Sequence, residues 1–83
     1  ALLRVGDLLL FSNPATLNAR TNGVLRVSRD LGQTWPIQHP IYPGGFAYSS
    51  LAALKDGTVF CLFERDNYQK ISVARFDLET LAP

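Results

Sequence analysis

Apolar residues in this chain come in short runs, and each run is cut by turn-forming residues before a helix could establish itself. Leu8-Leu9-Leu10-Phe11-Ser12 stops at Asn13-Pro14. Gly23 to Ser28 alternates, with Leu25 and Val27 on one face and Arg26 and Ser28 on the other, the period of a half-buried strand. Asp30-Leu31-Gly32-Gln33 reads as a tight turn, after which Thr34-Trp35-Pro36-Ile37 opens a third strand. Pro36 lacks a ladder donor, which places that strand at a sheet edge. Pro43-Gly44-Gly45 reads as a turn, Tyr48 to Leu54 as a fourth strand, and Lys55-Asp56-Gly57 as a hairpin turn with glycine supplying a positive φ. Thr58 to Glu64 is a nearly unbroken apolar run, as in a strand covered on both faces, and Ile71 to Phe76 alternates again. The tail Asp77 to Leu81 fits a turn of helix or a last extended piece.

These runs repeat loosely. Leu10-Phe11 with Val24 to Asp30 is echoed by Leu62-Phe63 with Ile71 to Asp77, at a spacing of about 50 residues, near the length of one four-stranded propeller blade. The chain is therefore expected to be all-β, forming part of a propeller as about two incomplete antiparallel blades. A small sandwich or barrel is the alternative.

Composition narrows the function. Hydrophobic residues are 47% of the chain and charged residues 18%, which excludes a disordered segment. The net charge of +1 leaves no footprint for nucleic acid and no polybasic membrane patch. The apolar run Leu8 to Phe11 is far too short to span a bilayer. Cys61 is the single cysteine, so it cannot form an intrachain disulfide, and its apolar neighbours mark it as a buried strand residue. The chain starts in mid-pattern, without methionine or signal segment, and is expected to be the interior of a longer protein of open compartment.

Ser28, Asp30, Gly32, Thr34 and Trp35 form a Ser-x-Asp-x-Gly-x-Thr-Trp pattern. Asp30 can accept backbone N–H groups of its own turn, Gly32 allows a left-handed conformation, and Trp35 can pack beneath the hairpin. All of these roles are structural. Tyr48 is different. A phenol is ordinarily a poor nucleophile, but a carboxylate base can activate it, and a neutral nucleophile avoids repulsion from a substrate carboxylate. On its own, a strand tyrosine is more often a packing residue. Arg20, in the loop Asn13 to Arg20, can pair bidentately with a carboxylate, although an isolated loop arginine is more often only solvated. Glu64 ends an apolar run, where a carboxylate is costly unless paired, so an ion pair with an arginine is expected. His39 has no second metal-binding residue beside it, and no zinc site is expected. Gly44-Gly45 lacks a P-loop lysine, and Ser49-Ser50 lacks a nucleophile elbow.

Taken in order, Asn13-Pro14 with Arg20, the Asp-box pattern at Ser28 to Trp35, Ala47-Tyr48-Ser49, and Leu62-Phe63-Glu64 with Ile71 to Phe76 resemble the C-terminal part of sialidases (exo-α-neuraminidases of the Asp-box family). The resemblance spans nearly the whole chain. It implies a six-bladed propeller, with residues 1–42 part of the penultimate blade and 43–83 the last. It also implies a glycosidase that removes terminal α-linked sialic acids with retention, using a tyrosine in place of a carboxylate nucleophile. By this resemblance Tyr48 is the nucleophile, Arg20 holds the sialic acid carboxylate, and Glu64 braces another triad arginine. Phe63 stands where the family commonly has tyrosine. No metal or organic cofactor is implied, and the implied partners are sialylated glycans and the remainder of the propeller or a complementary chain. The family's acid/base aspartate, the glutamate that activates the tyrosine and the other triad arginines match nothing in this chain. Arg4, Arg26, Arg29, Arg65 and Arg75 fit no triad position, and Asp56 and Asp66 read as turn residues. The chain alone is thus expected to be inactive. The alternatives are a non-catalytic Asp-box propeller that binds glycans or proteins, and a degenerate fragment with a structural role.

Overall fold

The computed structural model describes residues 1–16, 19–66 and 69–82. It is all-β apart from one helical turn: strands β1 (Leu2–Val5), β2 (Leu8–Pro14), β3 (Thr21–Ser28), β4 (Ile37–Ala53), β5 (Thr58–Arg65) and β6 (Lys70–Asp77), then α1 (Leu78–Leu81). The strands form one antiparallel meander in chain order. β1 is a strand beyond those expected from the sequence, although a hairpin signal for it is present. Gly6-Asp7 separates two apolar runs, and Gly6 sits at φ 59°. Gly57 is at φ 93° in the β4–β5 hairpin, as expected for its turn. The tail is helical, with the Asp77 side chain capping α1 by accepting the Glu79 N–H at 3.1 Å.

Two expectations fail. Thr34 to Pro36 do not form a strand, and Pro43-Gly44-Gly45 is not a turn. The chain instead runs extended from Ile37 to Ala53 as the single 17-residue β4. Neither Gly44 nor Gly45 takes a positive φ among the described residues. These residues mark a change of partner. β4 pairs with β3 from Val27↔Ile37 to Thr21↔Gly45, then with β5 from Phe46↔Arg65 to Ala53↔Val59. Residues 37–44 pair with β3 alone, so Pro40 and Pro43 cost no ladder bond on the open side.

Because β4 serves both halves, the sheet curls and closes a core between them. Leu10, Leu25 and Val27 from the first half meet Val59 and Leu81 from the second, all fully buried. Ser12 and Ser49 join across this interior, their hydroxyls 2.7 Å apart. Cys61 is buried, as expected, and burial pushes its thiol pKa up against the opposing influence of the Ser12 hydroxyl. His39 is accounted for structurally, with Nε2 3.2 Å from the Leu81 carbonyl.

A second cluster centres on Phe46. Its ring stacks on Phe63 with centroids 5.0 Å apart and lies flat over Gly23. A Cβ added at Gly23 would stand 2.1 Å from the Phe46 ring. Real Cβ contacts are never that short, so strand and ring would have to separate. Gly23→Ala is expected to destabilise the chain by at least the roughly 3 kcal/mol at the top of the usual overpacking range, read as a lower midpoint in denaturant unfolding.

Candidate functional site

Three segments meet at one end of the sheet, and backbone hydrogen bonds hold them there. The loop between β2 and β3 is pinned at its neck. Ala15 N–H donates to the Asn22 carbonyl at 2.8 Å, while the Thr21 hydroxyl and Asn22 Nδ2 both reach the Thr16 hydroxyl, at 2.7 and 2.8 Å. Asn22 takes φ 58° in a bulge of β3, a conformation asparagine tolerates better than most residues. Leu17 and Asn18 of that loop lie outside the described residues. Just before β3, the Arg20 carbonyl accepts the Phe46 N–H at 2.7 Å, and Gly45 accepts the Asp66 N–H at 3.2 Å. The β2–β3 loop, the middle of β4 and the end of β5 are thereby fixed to one another.

A second bulge decides where Tyr48 points. Phe46 is opposite Arg65 and Ser49 is opposite Phe63, so β4 spends one residue more than β5 between these pairs. In a regular strand, positions 46 and 48 share a face. Here Phe46 is buried at 1% exposure whereas Tyr48 is 70% exposed. The bulge puts the phenylalanine into the core and turns the tyrosine out. The Arg20 guanidinium carbon then lies 5.2 Å from the centroid of the Tyr48 ring, a cation–π arrangement.

Arg20, Tyr48 and Glu64 border adjoining clefts. Arg20 and Glu64 both line one of about 590 Å³, together with Ala47, Arg65 and Asp66. Arg20 and Tyr48 line a second of about 290 Å³. Tyr48 and Glu64 line a third of about 240 Å³. The structure therefore brings the three residues singled out by sequence to the same end of the fold. Glu64 differs from expectation in one respect, since it is half-buried but makes no ion pair among the described residues. The ion pair forms one residue later, between Arg65 and Asp66 at 2.7 Å.

That pair belongs to a network that sequence reasoning missed. Arg65 Nε donates to the Ser72 hydroxyl at 2.6 Å, and Nη1 donates to Asp66 Oδ2 and, at 3.3 Å, to the Tyr42 hydroxyl. The Tyr42 hydroxyl donates to Asp66 Oδ1 at 2.9 Å, and its ring lies 5.3 Å below the Arg65 guanidinium. Asp66 is more than a turn residue: at φ 53° it folds its carboxylate back onto this cluster. The adjacent Arg-Asp was the available signal, but the third member, Tyr42, is distant in sequence.

The turn from Ser28 to Trp35 lies at the other end of β3, roughly 25 Å from Arg20 at 3.3 Å per residue over the strand's 8 residues. Ser28 Oγ donates to Asp30 Oδ1 at 2.7 Å and accepts the Gly32 N–H at 2.9 Å. Asp30 accepts the Thr34 hydroxyl at 2.5 Å and the Thr34 N–H at 2.8 Å. Leu31 and Gly32 carry the turn at φ 58° and 93°. Trp35 Nε1 donates to the Gly32 carbonyl at 3.2 Å, and its ring meets Phe11 at 6.0 Å between centroids.

No family model matches this chain. It is similar to two known proteins, both named sialidases. Against the sialidase of Micromonospora viridifaciens it is 50% identical over 56 residues, 68% of this chain and 9% of that protein. Against the sialidase of Bacteroides fragilis (strain YCH46) it is 36% identical over 61 residues, 70% of this chain and 11% of that protein. The matched stretch thus spans about a tenth of the length of either relative.

Asp30 gives the site's scaffold a pH dependence. The Thr34 hydroxyl, then the Thr34 N–H, then the Ser28 hydroxyl hold its carboxyl at about 2, against an ordinary 3.8. A carboxylate whose pKa is depressed on folding stabilises the folded state above its unfolded value and loses that contribution as pH falls through the folded one. The Asp-box turn is expected to hold at pH 5 and to loosen as pH drops from about 4 towards 2, read as a change in Trp35 fluorescence. Asp30→Asn should shift Trp35 emission already at neutral pH, since the amide cannot accept at both oxygens.

Proposed function

We propose that this chain is part of a retaining sialidase, with residues 1–42 contributing to one propeller blade and 43–83 to the next. The observation that carries the reading is Tyr48, turned out of the core by a bulge and lying 5.2 Å from the Arg20 guanidinium, in a chain half identical to a sialidase over most of its length. Arg20 grips the substrate carboxylate through charge-assisted hydrogen bonds. Tyr48 attacks the anomeric carbon as the glycosidic bond breaks, its phenolic proton passing to one carboxylate from elsewhere in the parent protein while a second carboxyl group from there protonates the departing aglycone oxygen; water then hydrolyses the tyrosyl glycoside, releasing the sugar and restoring the phenol. Glu64, without an ion-pair partner among the described residues, is a carboxylate ready to brace an arginine contributed by another blade.

The outer face of β5 and β6 supports a larger assembly. Leu62, Ile71 and Val73 are 46%, 71% and 59% exposed there, an apolar sheet surface of the kind a neighbouring blade covers. The remaining catalytic groups come with that neighbour, and the substrates are sialylated glycans. In the parent protein, Tyr48→Phe is expected to lower kcat on an aryl sialoside by roughly three orders of magnitude or more while leaving the melting temperature unchanged. Turnover at the wild-type rate would eliminate Tyr48 as nucleophile. The 83-residue chain alone is expected to show no turnover, and measurable hydrolysis by it would contradict the need for groups from outside.

A further inference from the structure

Arg65 and Asp66 line the cleft of about 590 Å³ beside Arg20 and Glu64, and yet neither the nucleophile nor the carboxylate grip uses them. Three features make this pair a built recognition element. Its guanidinium is immobilised on three sides, by the Ser72 hydroxyl at Nε, by Asp66 at Nη1 and by the Tyr42 ring below. Its second terminal nitrogen, Nη2, forms no hydrogen bond among the described residues and keeps two donors. The pair remains open to solvent, with Arg65 and Asp66 side chains 26% and 35% exposed.

Charge selects the ligand class. Asp66 lies 2.7 Å from Arg65 and offsets its charge, and Glu64 adds a negative group to the same cleft. A second anionic group brought to Arg65 would be repelled by both carboxylates, whereas Arg20 faces the Tyr48 ring. What suits a guanidinium beside a carboxylate is a group that both donates and accepts. Neighbouring hydroxyls do this: one accepts from Nη2 while the next donates to a remaining lone pair of Asp66.

We propose that Arg65 and Asp66, held by Tyr42 and Ser72, form a specificity-determining clamp for vicinal hydroxyls on the neutral part of the glycan. The inference rests on the sialidase reading and adds to it a residue pair outside the carboxylate-binding and nucleophilic set. The hydroxyls come from either the polyhydroxyl side chain of the sialic acid or the sugar attached to it. The two sources are separated by substrate.

The test uses the parent protein with Arg65→Lys and Asp66→Asn. Asparagine tolerates the φ of 53° at position 66, and lysine keeps the charge at 65, so both variants retain the backbone and melting temperature serves as the control. Each is assayed on sialyllactose, on an aryl sialoside, and on an aryl sialoside whose side chain has been shortened by periodate oxidation and reduction. Expected is a roughly 10- to 100-fold loss of kcat/KM, carried by KM, on substrates bearing the recognised hydroxyls. The substrate lacking them is turned over as by the wild type. Loss on sialyllactose alone assigns the attached sugar, and loss on both substrates with intact side chains assigns the side chain. Equal loss on all three substrates, or no loss on any, overturns the clamp while leaving the sialidase reading intact. A wild-type parent that cleaves none of them overturns both.

Discussion

The contact between the Phe46 ring and the backbone of Gly23 sets the distance on which the rest of the site depends. Only a residue without a side chain lets β3 approach that closely, and only then can the Phe46 N–H reach the Arg20 carbonyl at 2.7 Å. That hydrogen bond places the arginine over the tyrosine that follows two residues later. The stacking of Phe46 on Phe63, and of Phe63 near Tyr42 at 6.0 Å, carries the same order across to β5 and the Arg65 network. One aromatic core therefore supports the cleft from beneath.

The two ends of β3 divide the labour. At one end the Asp box saturates its own donors and acceptors and leaves little for a ligand. At the other, Arg20, Tyr48 and Glu64 are held by their backbones, and the side chains of Tyr48 and Glu64 make no hydrogen bond among the described residues. Placing a stiff hydrogen-bonded turn away from a cleft that keeps Tyr48 exposed is how a rigid scaffold supports recognition. The exposure of Tyr48 has a specific source, since the bulge at residues 47 and 48 inverts the strand's facing at that point and restores regular alternation from Ser49 onward.

Much of this is legible in the sequence where the physics is local. The strand identities of β3 and β6 follow from period-two alternation and those of β2 and β5 from short apolar runs bounded by turn residues, the Lys55-Asp56-Gly57 turn follows from its glycine, and the burial of Cys61 from its neighbours. The Asp-box hydrogen bonds follow from residue type and spacing within a single turn. The misread parts are those set by distant partners. Pro43-Gly44-Gly45 has the composition of a turn, but it is pulled straight because Gly45 and Phe46 bond to Asp66 and Arg20. The outward orientation of Tyr48 depends on a pairing offset between β4 and β5, which no alternation pattern in β4 alone encodes. Tyr42, Arg65, Asp66 and Ser72 look unrelated in the chain, and pairing across β4, β5 and β6 assembles them.

The meander has a consequence for how the chain acquires its shape. Every ladder joins strands that are neighbours in sequence, so closing each one brings together ends separated by only a short loop, and the entropy lost per closure is small. Hairpins β1–β2 and β5–β6 can form early and independently. β4 is different, because its first part completes the β3 side and its second part the β5 side. Its alignment joins two locally paired pieces into one sheet, so a slip in its register would displace both halves at once.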